Sequence, residues 1–241
     1  MTAVKKLTLG LLPEIKVFRM TSIWGLLVDA LIDARGRQIS DTYFTQIAEP
    51  SNNFGILTLT NDKDGNSLQI DKHQVIFTKS AYPNGHVKLD ETFAEFKSIW
   101  NIIQGVAKLG GIRRIGIVAE HRFEPTKNNN TELVASLTRL APPQFPAHFS
   151  LHYENRILAK AGEAFDVNKS AFINLIYDFY DSSVDTSFPA EGKINANIDY
   201  QKYYTPSLDR KITEEMEAHF YAFKKELEIF DKELVKLGLK K

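Results

Sequence analysis

Residues 194–201 alternate without a break, with Ile194, Ala196, Ile198 and Tyr200 on one side and Asn195, Asn197, Asp199 and Gln201 on the other. A period of two is the mark of a strand with one face on a core and one toward water. Soon after, Met216, Phe220, Phe223, Leu227, Phe230, Leu234 and Leu237 recur at helical spacing over residues 214–237, forming one apolar stripe on a long helix. The seven-residue repeat also suits an intermolecular coiled coil, but a single apolar face is ordinarily buried within its own domain. Thr213 is the predicted cap, with Glu214 and Glu215 in the first turn, where they favour the helix dipole. A half-buried strand beside a one-faced helix confines the chain to layered α+β folds.

The rest of the chain repeats this theme. Residues 15–20 read as a strand, Thr21 and Ser22 as helix caps, residues 23–34 as a helix and Gly36 as its left-handed close. Extended segments follow at residues 43–49 and 54–60, then a turn at Asp62, Lys63, Asp64 and Gly65. Strands at 67–70 and 74–79 are separated by a tight turn, because the apolar phase shifts between Ile70 and Val75. After the Pro83, Asn84, Gly85 loop, Asp90 is the predicted cap of a helix with Phe93, Phe96, Trp100, Ile103 and Ala107 on one face, stopped by Gly110 and Gly111. The second half offers a strand at 113–123, a short helix at 131–140 and a rigid loop at 141–146 with Pro142, Pro143 and Pro146. Strands at 148–159, 171–181 and 193–204 precede the long helix. The predicted fold is α+β, with two tandem strand-helix-three/four-strand-helix units, residues 1–110 and 111–241, whose antiparallel sheets pack on long helices. A repeat of this length implies internal duplication of a domain-sized unit.

The chain has 241 residues, enough to bury a core without a covalent staple. It contains no cysteine, which removes disulfides, thiolate nucleophiles and cysteine-held metals together and fits a cytoplasmic setting. Lys and Arg total 30, as do Asp and Glu, so no net field draws in nucleic acid or an anionic membrane. Lys5 and Lys6 precede a short apolar stretch, but Pro13 and Glu14 follow and no signal peptide is read. The run 23–32 is too short for a membrane span and carries Asp29, with Asp33 just beyond it.

Oxygen side chains alternate at Asp62, Asp64 and Asn66 as in calcium loops, but the glycine comes too early and His73 stands where a bidentate Glu is needed. A hairpin turn accounts for the same residues. No phosphate loop, dinucleotide fingerprint, nucleophile-elbow serine or helical histidine pair occurs, so no metal or other cofactor is expected. The densest polar groups lie on two strands. If Ile115, Ile117 and Ala119 face the core, Arg114, Glu120 and Arg122 share the opposite face, and His152, Glu154 and Arg156 on the next strand can face the same way. These six are candidate binding residues, with His152 and Glu154 a possible acid–base pair. A solvated face laced with cross-strand ion pairs uses them equally well. His121 should point inward beside Phe123 as a core residue. Residues 172–180 are apolar on both faces except at Asn174 and Asp178, which suits a strand covered on two sides, a ligand cavity or an oligomer interface.

The helix with Phe93, Phe96 and Trp100, the strand with Arg114, Ile115, Gly116, Ile117 and Arg122, and residues 194–200 leading to the last helix together resemble a sporadically distributed, functionally uncharacterised bacterial family of similar length. In that family the strand reads Arg, aliphatic, small, Leu, Arg, Tyr, Ile, Asn, Arg; here Val118, Ala119 and His121 replace the second Arg, the Tyr and the Asn. The resemblance implies a shared fold more than a shared ligand. The leading functional expectation is a non-enzymatic binding or interaction protein that self-associates as a homo-oligomer and acts with a partner protein. The alternatives are an apolar small molecule or lipid held in a helix-grip cavity, or a metal-independent enzyme using His152 and Glu154. Nucleic acid is not expected as a partner.

Overall fold

The computed structural model of the chain describes residues 4–14, 20–40, 46–48, 56–61, 65–71, 73–81, 85–123, 129–139, 149–158, 162, 164–166, 169–181 and 194–239. The elements run β1 (Lys6–Pro13), α1 (Met20–Asp33), β2 (Gln46–Ala48), β3 (Leu57–Asn61), β4 (Asn66–Ile70), β5 (Val75–Ser80) and α2 (Leu89–Ala107). They continue with β6 (Ile112–Phe123), α3 (Asn129–Thr138), β7 (Ser150–Leu158), β8 (Phe172–Asp181), β9 (Ile194–Leu208) and α4 (Ile212–Lys236). The strands form one nine-stranded sheet in the order β2-β3-β4-β5-β1-β6-β9-β8-β7. Every pairing is antiparallel. The expected α+β class is therefore present. Instead of a sheet in each half, β1 and β6 pair side by side and make the sheet continuous.

Alternation decides which side of this sheet is dry. Register lines up Leu59, Leu68, Phe77, Leu9, Ile117, Tyr200 and Leu175 across seven strands, and all seven are buried. Helix α2 covers this face over β1, and α4 covers it over β6 and β9. The helices meet through Phe93 and Phe220, stacked at 4.1 Å between ring centres. Ion pairs Lys97–Glu217 and Lys224–Asp90 flank that contact. Trp100 and Phe96 from α2 and Phe223 from α4 are among the largest fully enclosed side chains. The stripe read from the sequence of α4 faces the protein's own sheet, with Met216, Phe220, Phe223, Leu227, Phe230 and Leu234 all buried.

The first strand comes earlier than the sequence suggests. It is Lys6–Pro13, while Met20 already belongs to α1, and residues 15–19 lie outside the described residues. Leu7, Leu9 and Leu11 supply the buried alternation, and Thr21 and Ser22 fall inside α1 rather than capping it. Nor do Asp90 and Thr213 cap. Lys88 and Lys211 occupy the N-cap positions with no side-chain cap bond, and Lys211 is left-handed at φ 56°. Asp90 instead sits in the first turn of α2 and accepts both bonds from Lys224 Nζ.

Helix α2 ends on Lys108, left-handed at φ 46°, while Gln104 Oε1 accepts the Leu109 N–H at 2.7 Å. Gly110 and Gly111 answer a different need, close approach: a Cβ on Gly110 would lie 2.7 Å from the Glu14 carbonyl oxygen, and one on Gly111 would overlap Asp209. Gly36 and Gly65 do take the left-handed conformations expected of them, at φ 68° and 63°. The turn at 71–73 is closed by Asp71 Oδ1, which accepts the N–H groups of His73 and Gln74. Residues 62–64 of the calcium-like stretch, Pro83 and Asn84, and the loop at 141–146 lie outside the described residues.

Two glycine substitutions should move stability in opposite directions. Gly110→Ala pushes a methyl into backbone and is expected to cost about 1–3 kcal/mol. Gly105→Ala, on an exposed turn of α2 with nothing within 4 Å of the new methyl, should stabilise by roughly 0.5–1 kcal/mol. Urea denaturation of the two variants beside the parent checks both signs.

Candidate functional site

The sheet face away from helices α2 and α4 carries the polar residues singled out from the sequence. Five transverse rows cross it in its C-terminal half, each fixed by the register of β6, β9, β8 and β7. The first joins Arg122, Asn195, Tyr180 and Ser150; the second Glu120, Asn197, Asp178 and His152; the third Val118, Asp199, Ile176 and Glu154. The fourth joins Gly116, Gln201, Asn174 and Arg156, and the fifth Arg114, Tyr203, Phe172 and Leu158. All six residues singled out from the sequence, Arg114, Glu120, Arg122, His152, Glu154 and Arg156, therefore share one face. They are not on neighbouring strands. Strands β9 and β8 intervene, placing the β6 group three strand spacings, roughly 14 Å, from the β7 group. The meander β7-β8-β9 folds back so that β9, not β7, docks on β6.

The intervening strands supply residues that the six-residue set missed. Along β9 a hydrogen-bond chain runs from Arg114 Nη1 to the Tyr203 hydroxyl at 3.4 Å, from that hydroxyl to Gln201 Oε1 at 2.7 Å, and from Gln201 Nε2 to Asp199 Oδ2. Tyr203 is held flat against Phe172, 4.5 Å between ring centres. Burial pushes the Asp199 carboxyl up to about 6, against the lowering pull of the Gln201 bond and the Arg114 charge. Asn174 and Asn195 are buried, and their Oδ1 atoms, with those of Asn197 and Asp199, have no hydrogen-bond partner. Such acceptors ordinarily find donors, so this patch favours a donor-bearing group. The clue in the sequence was the polar half of the 194–201 alternation; what it lacked was the register that sets Asn174 beside Gln201.

The acid–base pair is not assembled. His152 Nδ1 is 2.6 Å from Asp178 Oδ1 on the neighbouring strand, whereas Glu154 accepts from Arg156 Nε at 2.8 Å. The Arg156 bond holds the Glu154 carboxyl below its usual range, making it a poorer proton acceptor. Among the described residues, no group of three or more His, Asp or Glu side chains could hold a metal.

On the helix side, strands β7 and β8 leave an apolar groove of about 520 Å³ between the sheet and helices α3 and α4. Leu151, Tyr153, Tyr177 and Phe179 form the sheet wall and Ile229 and Phe230 the α4 wall, with Glu233 and His152 as polar members of the lining. Phe230 sets the depth of the groove by resting on Tyr177 at 5.2 Å and Phe179 at 5.9 Å. The Tyr177 hydroxyl is raised above its ordinary range by burial. Behind Phe230 lies His121, buried as expected, with Nε2 3.3 Å from Asp231 Oδ1.

No protein-family model matches the chain, and no curated protein matches it. Among the described residues no helix is long and apolar enough to cross a membrane.

Two buried groups should titrate against each other. Asp199, raised in the folded chain, contributes stability that is full below pH about 4 and lost as pH rises through 6. His219 is buried, donates Nε2–H to the Tyr200 carbonyl at 3.1 Å, and is depressed to about 4, so its contribution is full above pH about 6.5 and lost as pH falls through 4. Asp199→Asn should be more stable than the parent by about 2–3 kcal/mol at pH 7.5, with the difference vanishing near pH 4. Denaturant midpoints measured across that range check it.

Proposed function

We propose that this chain is a non-enzymatic binding protein that self-associates and acts with a partner, and that its ligand site is the groove between α3, α4 and strands β7 and β8. The observation that carries this reading is the groove: about 520 Å³, walled by aromatic and aliphatic side chains with two polar groups in the lining. Ligand sites for small apolar molecules have this size and composition. The occupant that fits is a small molecule with an apolar body and one polar end, the body against Tyr177, Phe179 and Phe230 and the polar end toward Glu233. The separate partners of His152 and Glu154 favour binding over catalysis.

Two further readings belong to this proposal. The mirrored strand order about the β1–β6 seam supports descent of residues 1–110 and 111–241 from one duplicated unit, and with it kinship to the sporadically distributed bacterial family. The absence of cysteine supports a cytoplasmic setting.

The binding reading is tested by native mass spectrometry of the purified protein and by titration with a fluorescent apolar probe such as anilinonaphthalene sulfonate. The parent should bind one probe per chain. Ile229→Glu places a charge on a half-exposed groove wall and should weaken the probe by about tenfold or more without unfolding the chain. Equal affinity in parent and variant would place the ligand elsewhere.

A further inference from the structure

Among the described residues β7 ends the sheet, and all of its nine residues but Leu151 and Leu158 are exposed. A nine-residue edge strand is long, and it contains neither proline nor lysine, the usual devices that keep edges from pairing. The opposite edge among the described residues is β2. On the helix side of β7, Tyr153 is 61% exposed and Ile157 45% exposed, side chains that gain from a cover.

We propose that β7 pairs antiparallel with β7 of a second copy of this chain, in the register that sets Asn155 opposite Asn155. This rests on the self-association in the proposed function but not on occupancy of the groove. Charge selects the register. With Asn155 on the two-fold axis, Glu154 faces Arg156 of the second copy, Arg156 faces its Glu154, and Tyr153 faces its Ile157. The pair Glu154–Arg156, already joined within the strand at 2.8 Å, becomes a ring of four alternating charges. A shift that puts Glu154 on the axis sets Glu154 against Glu154 and His152 against Arg156. That register juxtaposes like charges, which is unfavourable for directly opposed residues. A shift that puts Tyr153 on the axis keeps apolar neighbours, Ile157 against Phe149, and sets Glu154 against His152, but leaves Arg156 opposite Ser150 with no carboxylate facing it. Of these three, the Asn155 register alone sets Glu154 against Arg156 twice.

The pairing also changes the groove. A two-fold axis normal to the sheet keeps both helix layers on one side, so the groove of each copy opens toward the same seam. Tyr153 lines that groove, and its cross-strand neighbour would be Ile157 of the second copy, closing the open end with apolar surface.

A charge swap tests the register. Sedimentation velocity and light scattering at tens of micromolar should give twice the chain mass of 27.4 kDa for the parent. Arg156→Glu and Glu154→Arg each place like charges opposite one another twice and should weaken the dimer by about tenfold or more. The double variant Glu154→Arg/Arg156→Glu restores opposite charges and should recover parent affinity to within about threefold. A monomeric parent, single variants that dimerise like the parent, or a double variant that stays monomeric would each overturn the proposal. Circular dichroism and melting temperature of the single variants guard against unfolding. Probe titration of the monomeric variants separates the two readings, since loss of dimer with one probe site per chain retained fails neither the groove nor the fold.

Discussion

Pairing of β1 with β6 is the constraint on which the molecule depends. Their eight-residue register sets Leu7, Leu9 and Leu11 opposite Ala119, Ile117 and Ile115, and these six side chains floor the space that α2 and α4 fill. On the other face the same register brings Gly10 opposite Gly116. Neither glycine turns left-handed, and a Cβ on either would make only ordinary contacts, at 3.9 Å from Ile76 and 3.7 Å from Gln201. Their effect is to leave the middle of the outer face low, so backbone lies open there between flanking side chains, as at places where another chain or a ligand comes close.

Everything on the covered face follows from that floor. Helix α4 crosses β6 and β9, and its Phe220 can stack on Phe93 only because α2 lies beside it over β1. Packing this dense leaves little room for water. His121, His219 and Asp231 are nevertheless buried under α4, and the His219 ring keeps its proton on the nitrogen that faces the Tyr200 carbonyl. The depressed histidine and the raised aspartate sit on opposite faces of β9, so acidification loads one while deionising the other. Stability between pH 4 and 6.5 is therefore flatter than either group alone would make it.

Periodicity made much of this fold legible. The alternation of 194–201 and the stripes of the last two long helices led directly to β9, α2 and α4, because each buries a face whose spacing is written locally. Local signals failed where a feature is fixed by distant chain. Asp90 and Thr213 look like caps, yet helix starts at Lys88 and Lys211 are set by backbone geometry, and Asp90 is drawn to Lys224 across the helix pair. Gly110 and Gly111 look like helix stops, whereas their lack of side chain serves Glu14, Ser207 and Asp209, close in space and remote in sequence. The candidate site shows the same division. Which residues of β6 and β7 share a face could be read from alternation, but that two strands separate them, and that Asn174, Asn195 and Asp199 fill the gap, required the register.

The two halves of the outer face differ in kind. Over β1, β5, β4 and β3 the row through Thr8 continues as Thr78, Ser67 and Thr60, with the Thr8 and Thr78 hydroxyls 3.2 Å apart. Hydroxyls both donate and accept, so neighbours in such a row can pair with one another, as Thr8 and Thr78 do. Over β9 and β8 the corresponding row carries Asp199, and amide and carboxylate oxygens that only accept are buried without donors. The groove under Tyr153 and the exposed edge of β7 belong to that same half. Strands β7, β8 and β9 thus bring together buried acceptors without donors, an apolar groove and a sheet edge among the described residues.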